Sequence, residues 1–365
     1  MTTLRVLRLY HSGVVAAWRE RDRQLRLLNC NLVLAAPRVW NEGGSVVPLD
    51  AGGDTFVQPI GTMGRHPFRF AYSPRTLWQL LRRERWDVID VHEEPASLAV
   101  FEVVLGCWLL RLRTPILLYS AENIMKQYPP PFRWFERWAL NRASAVHCCN
   151  EAAAGIMRKK GFRGVVVVLG LGVDVEQFAP ARDRRSDATI GYVGRLDQRK
   201  GVDVVLRAMP MLPVDTQLVI AGAGPAESAL RKLAASIGVE DRVRFASFIE
   251  HDQLPELYRS LTIVTVPSLP TPVWHEQFCR VAVEAMASGV PVVASADGAL
   301  PEVVGPGGVL VEPGDVPEWA AALADLLSDC TRREELGREG RRWAEQFSWT
   351  SIAARQRELY DQVIG

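Results

Sequence analysis

The 365-residue chain reads as an α/β protein of two domains, and three features of the sequence say so. The length exceeds what one hydrophobic core usually serves. Short, β-branched, nearly all-apolar runs such as Val290 to Ala294 have the composition of strands buried on both faces of a parallel sheet. Between such runs lie segments with apolar residues at helical spacing, as in Val281, Ala282, Ala285 and Met286. An apolar content of 48% with 23% charge is ordinary for a globular protein.

In chain order, the first half opens with a strand over Leu4 to Leu9. A turn at His11, Ser12 and Gly13 follows, then a helical pattern through about Leu28 and a strand over Asn31 to Ala35. Gly, Pro and polar residues from Asn41 to Pro74 predict loops and short strands. A helix over Arg75 to Arg85 leads to the strand Asp87 to Val91, which ends in His92-Glu93-Glu94-Pro95. Ligands in open α/β sheets bind at the carboxyl ends of strands, so His92 and Glu93 are well placed for a site. The strand Pro115 to Tyr119 ends in Ser120-Ala121-Glu122-Asn123. Phe132 to Trp138 places aromatic and basic residues on a helical period, which fits either a membrane surface or core packing. A strand over Ala143 to Cys149, a helix from Asn150 and a strand over Val165 to Leu169 complete the half.

The second half begins with the strand Thr189 to Val193 and the loop Gly194-Arg195-Leu196-Asp197-Gln198-Arg199-Lys200-Gly201, which opens a helix over Val202 to Met209. The strand Gln217 to Ala221 ends in Gly222-Ala-Gly224-Pro225, which lacks the third Gly of a dinucleotide fingerprint. Val243 to Phe248 precedes a helix over His251 to Arg259 and a strand over Leu261 to Val266. Pro267, Pro270 and Pro272 then keep the chain out of a helix until one begins near Cys279 or Arg280, and Gly289 stops it. Glu276 lies in the approach and Glu284 in the helix. The helix start offers backbone N–H groups and a positive dipole end to a phosphate, with one carboxylate on each side.

The six cysteines show neither a paired extracellular framework nor C-x-x-C spacing, which implies a reducing cytosol. The amino terminus is too short and interrupted for a signal peptide, and the longest apolar run, Leu98 to Leu110, contains Glu102 and falls short of a membrane span. Net charge is +1, but residues 1–178 carry 23 Lys/Arg against 16 Asp/Glu, and residues 179–365 carry 20 against 26. The first half therefore either meets something anionic or complements the second half.

The stretch EQF-x-x-V-x-VEAMA-x-G-x-PVVAS, over about twenty consecutive positions, resembles the E-x7-E signature of family-4 retaining glycosyltransferases. Gly194-Arg195 with Lys200-Gly201 resembles that family's G-R-x-x-x-x-K-G motif, and Gly170 to Phe178 its N-G-V-D-x-x-x-F hinge. The likeness spans nearly the whole chain, most strongly from about 164 to 350. It implies a GT-B fold, with two Rossmann-like domains facing a central cleft. Residues 1–175 would bind acceptor, 176–346 nucleotide sugar, and 347–365 would form a helix returning to the first domain.

It also implies roles. Arg195 and Lys200 clamp the donor diphosphate, Glu276 holds the transferred sugar and Glu284 the ribose. Gly13, Phe248, Phe278, Cys279, Arg280 and Val281 line the donor site, with Cys279 standing where the family usually has Gly. Glu276, Glu122 and His92 are the catalytic candidates, with Glu122 on the acceptor side and His92 lining the site. Clamping cations and helix N-termini stabilise the departing diphosphate without a metal or other cofactor. The expected reaction is retaining transfer from a nucleoside diphosphate sugar, UDP by family frequency, to an acceptor hydroxyl. A nucleotide-sugar epimerase and an inactive sugar-nucleotide-binding subunit are the alternatives. The acceptor is expected to be anionic or lipid-linked, the location cytoplasmic with peripheral contact at the inner membrane face, and no nucleic acid is expected as partner.

Overall fold

The computed structural model describes residues 3–42, 45–50, 52–180 and 188–365. Of the 41–74 segment, residues 43, 44 and 51 lie outside the described residues. The chain divides into two compact units, Met1–Gly170 with Trp349–Gly365, and Leu171–Ser348. These joints differ slightly from 175/176 and 346/347. The reason is that Val173 N–H donates to the Phe347 carbonyl (2.9 Å) and Val173 and Val175 are buried in the second unit's core.

In the first unit the strands are β1 (Leu4–Leu9), β2 (Cys30–Pro37), β3 (Val39–Glu42), β4 (Ser45–Pro48), β5 (Val57–Ile60), β6 (Thr62–Met63), β7 (Ala71–Tyr72), β8 (Val88–Val91), β9 (Ile116–Ser120), β10 (Ala145–Cys148) and β11 (Val165–Val168). Its helices are α1 (Glu20–Leu27), α2 (Pro74–Arg82), α3 (Leu98–Leu109), α4 (Phe132–Arg142), α5 (Glu151–Lys159) and the final helix Trp349–Ile364. Among the described residues seven strands form one parallel sheet, ordered β11-β10-β9-β8-β1-β2-β5. The chain works outward from β1 to β5 and then from β8 to β11, so the order reverses between β1 and β8. Right-handed crossovers place α2 to α5 on one face of this sheet and α1 on the other.

Alternation along β1 fits that layering: Leu7 and Leu9 enter the core beneath α2 to α5, while Leu4 and Val6 enter the core shared with Leu25, Ala353 and Leu359. Ser97 and Asn150 cap α3 and α5 by accepting the Val100 and Ala153 N–H groups at 3.2 and 2.7 Å. The helical stretch expected from Gly13 onward is instead two short 3-10 turns, His11–Val14 and Ala16–Arg19, before α1. There the buried Arg19 guanidinium donates to the Gly13 carbonyl (3.1 Å) and to Asp54 (2.8 Å), folding the chain back on itself.

Arg8, on the face that carries the final helix, is only 2% exposed and donates to Asp22 at 2.8 Å. Asp90 lies 3.6 Å from Arg8 and accepts from Gln356 (2.7 Å) and from the Tyr360 hydroxyl (2.6 Å), which fastens the final helix to β8. Burial alone would raise the Asp90 carboxyl. Arg8 above all, with His147 Nε2 3.5 Å away and the Tyr360 hydrogen bond, outweighs that and holds it below the carboxylate range.

Glu102 of α3 behaves oppositely. Burial pushes its carboxyl up to about 7, although it accepts the Tyr72 N–H at 2.7 Å. The folded state therefore keeps a proton between about pH 4.5 and 7 that the unfolded chain gives up, and the resulting loss of stability grows as pH rises through that window. Glu102→Gln, which retains the acceptor, should stabilise the protein at pH 8 by about 1 kcal/mol, discounted because the side chain is partly solvated, and should change nothing at pH 4. Urea denaturation at the two pH values measures this, and equal effects at both would contradict it.

The second unit holds β12 (Thr189–Val193), β13 (Gln217–Ala221), β14 (Val243–Ala246), β15 (Ile263–Val266), β16 (Val292–Ser295) and β17 (Gly308–Val311). Its helices are α6 (Val202–Ala208), α7 (Glu227–Ser236), α8 (Leu254–Arg259), α9 (Arg280–Ala287), α10 (Leu300–Val304), α11 (Val316–Ser328) and α12 (Cys330–Ala344). Among the described residues its strands form a parallel sheet ordered β14-β13-β12-β15-β16-β17, so the reversal falls between β12 and β15. Cores lie on both faces, around Ile190, Leu206 and Trp319 on one and Val264, Ala282 and Val303 on the other.

Candidate functional site

At a reversal of strand order the two flanking loops turn apart and leave a crevice at the carboxyl ends, which is where open α/β sheets take ligands. In the second unit those loops are the ones after β12 and β15. The Asp197 carboxylate accepts the Arg199 N–H (3.1 Å) and shapes the turn Gln198–Lys200. Gly201 follows at φ 61°, and a Cβ there would stand 1.9 Å from the Pro267 carbonyl oxygen, so only Gly lets the loops close up. Leu269 N–H donates across the junction to the Arg199 carbonyl at 2.7 Å.

That closure joins two residues far apart in sequence. Lys200 Nζ donates to Glu276 Oε2 at 2.7 Å, and Ser268 Oγ donates to the same oxygen at 2.7 Å. The Trp274 ring lies beneath two cations of the loop, 5.1 Å from Lys200 Nζ and 4.9 Å from the Arg199 guanidinium carbon. The Glu276 carbonyl accepts the Ala299 N–H (2.9 Å), and Gly298, at φ 56°, has no room for a side chain against the Glu276 backbone. Glu276 is therefore fixed at both its backbone and its carboxylate.

Three residues further on, Cys279 precedes α9 with φ −133° and ψ 95°, extended backbone that any residue adopts. A side chain is therefore accommodated there without strain. Burial first, and Glu276 second, push the Cys279 thiol up to about 12, so it remains protonated. Glu284 lies in the second turn of α9, where the Tyr258 hydroxyl donates to Oε2 (2.9 Å) and His251 Nε2 lies 3.9 Å from Oε1. Burial raises its carboxyl, and Arg280 and the Tyr258 hydrogen bond oppose that.

The other expected donor residues divide. Arg195 is exposed at the start of the β12 loop, and its carbonyl accepts the Tyr192 hydroxyl at 2.8 Å. Arg280 and Val281 begin α9 half-buried. Phe278 turns into the core against Phe347 (ring centroids 5.5 Å), and Phe248 stands exposed after β14, two strands from the reversal.

In the first unit the reversal lies between β1 and β8. There the His11 N–H and Nδ1 meet the two Glu93 oxygens at 2.9 and 2.5 Å, and the Tyr72 hydroxyl donates to Oε1 at 3.2 Å. Gly13 sits buried in the same β1 loop, where a Cβ would press on Leu34 at 3.2 Å.

His92 turns inward. It stacks on Tyr119 (3.9 Å between centroids), meets Arg8 Nη2 through Nδ1 at 3.1 Å, and is held neutral by burial and then by Arg8. Its surroundings are those of the buried Arg8 network. Glu122 is 3% exposed, pairs with Lys160 at 2.8 Å and accepts the Lys126 N–H at 3.1 Å. Lys160 also holds Glu136 at 2.6 Å, so Glu122 belongs to a closed ion-pair cluster on the next loop.

Ser268, Trp274, Tyr258 and His11 are site residues that the sequence pattern does not single out. The one signal available is Trp274, an aromatic two residues from Glu276; the others are ordinary residue types whose partners lie far away in the chain.

Two parallel α/β units with these sheet orders and strand-end loops define the GT-B class. Residues 175–343 match the family model described as glycosyl transferases group 1, and residues 8–172 match the glycosyl transferase 4-like domain. The chain belongs to the family-4-like glycosyltransferases of GT-B fold.

Among curated proteins it is 41% identical over 207 residues to an MMP α-(1→4)-mannosyltransferase from Mycolicibacterium hassiacum, covering 54% of this chain and 48% of that one. The chain thus spans about half the length of the curated relatives it matches. Among solved structures, Anabaena HepE in complex with UDP superposes with a TM-score of 0.74 at 20% identity, over 98% of this chain and 100% of the other. Sucrose-phosphate synthase from Thermosynechococcus elongatus gives 0.71 at 22%, over 99% of both.

Proposed function

We infer that the protein transfers a glycosyl unit from a nucleoside diphosphate sugar, with UDP as the nucleotide, to an acceptor hydroxyl with retained configuration. One observation carries this: Lys200 and Glu276 meet at the strand-order reversal of the second unit, beside the start of α9. A departing diphosphate gathers negative charge, and Arg195, Lys200 and the α9 N-terminus supply preorganised positive potential for it without a metal. Glu276 takes the sugar hydroxyls and Glu284 the ribose. UDP in the HepE structure supports the choice of nucleotide. The acceptor is met by the first unit and is anionic or lies at an anionic membrane face at the cytoplasmic side, in keeping with 23 Lys/Arg against 16 Asp/Glu in residues 1–178.

Incubation with labelled UDP-sugars and a cell extract tests the reaction. Label moving to an acceptor is the expected result; free isomerised nucleotide sugar, or binding alone, would overturn it. Arg195→Ala and Lys200→Ala should each weaken UDP binding at least tenfold, about 1.4 kcal/mol, through loss of a charge-assisted contact. Titration calorimetry reads this directly, and unchanged UDP and GDP affinity in both variants would remove these residues from the site.

A further inference from the structure

We propose that the outer side of the α2–α3–α4 layer is a docking surface for an anionic lipid bilayer. The three helices pack side by side on one face of the first sheet. Within residues 74–142, all of them described, nine Lys and Arg residues are exposed and no carboxylate is. The acidic residues of that stretch are turned inward or paired: Glu136 holds Lys160, Asp87 holds Arg5, and Glu102 accepts the Tyr72 N–H. Glu84 is half-buried beside Arg82 and Arg85, so the fully exposed charges of the stretch are all cationic.

Each helix also leaves one tryptophan in solvent, Trp78 at 37%, Trp108 at 64% and Trp134 at 61% exposure, with Leu109 at 53% beside the second. Tryptophan beside basic residues is the composition that settles at a headgroup boundary. The helical period of α4 is divided between core and surface. Phe135 and Trp138 pack on Phe101 at 4.0 and 5.4 Å between centroids, while Arg133, Trp134 and Arg137 face outward.

Two recesses on this unit supply seats for phosphodiester groups. One of about 870 Å³ is lined by Arg82, Arg85, Arg111 and Arg113 with Glu84 and the Arg5-paired Asp87, and one of about 720 Å³ by Arg133, Arg137, Lys160 and Arg163 with Glu136, so cations outnumber carboxylates in each. Three tryptophans on three separate helices suit a broad planar partner better than a groove-bound strand of nucleic acid. This deepens the reading of a membrane-side acceptor and is independent of the nucleotide assignment.

The test is co-sedimentation of the full chain with vesicles of phosphatidylglycerol and phosphatidylcholine, against phosphatidylcholine alone, at low and high salt. Binding to the anionic vesicles, with a blue shift of tryptophan emission and release by salt, is expected. Arg133→Gln/Arg137→Gln should weaken it roughly 30-fold, about fivefold for each charge removed, and Trp134→Ala should also weaken it. UDP affinity of the variants serves as the folding control and reads the donor site separately. No binding to anionic vesicles at low salt, wild-type binding by the double variant, or tighter binding to a single-stranded oligonucleotide than to the vesicles would each overturn the proposal.

Discussion

Glu276→Gln is expected to cut the rate of sugar transfer by about 10- to 100-fold while leaving UDP affinity intact or slightly raised. The first part follows from losing a charged acceptor for sugar hydroxyls, worth about 1.5–3 kcal/mol. The second follows from the 2.7 Å contact between Lys200 and Glu276, because a neutral partner leaves more of the Lys200 charge for a diphosphate. Glu284→Gln should behave differently. Its carboxylate is buried in α9 against Tyr258 and is the proposed ligand of the ribose, so UDP itself should bind more weakly. Titration of both variants with UDP, beside transfer rates, separates the two roles. Equal losses of UDP affinity would show that the two carboxylates are misassigned.

Asp90→Ala should destabilise the first unit by about 3–5 kcal/mol, as expected when one partner of a buried ion pair is removed. Asp22 would then balance the buried Arg8 guanidinium without Asp90, and the final helix would lose the acceptor for Gln356 and Tyr360. Asp90→Asn keeps an acceptor and should lie between Ala and wild type. Chemical denaturation followed by hydrogen exchange in the final helix measures the effect. The proposed donor site lies in the other unit, so UDP binding below the transition should be retained. An Asp90→Ala protein with an unchanged midpoint would show that the network is not what holds the helix.

Much of the architecture is local in origin and is legible along the chain. The strands β1, β12 and β13 have the expected ends, and α9 begins where the prolines release the chain, with Cys279 immediately before it. Glu276, Glu284 and the Gly194–Gly201 loop are recognisable because their residues stand close together in the chain and resemble the motifs of a known family. Tertiary structure decided what depends on distant partners. Sequence spacing cannot show that Ser268 and Lys200 share one Glu276 oxygen, that Glu122 is consumed by Lys160, or that His92 points inward at Arg8 while Glu93 meets His11. Nor does a helical period say which aromatic faces solvent, since Trp134 and Trp138 are alike in sequence and are distinguished only by α3 packing against one of them. The physical reason is the same in each case: residue type sets what a side chain can bond to, and the sheet order, fixed by long-range pairing, sets what stands within reach.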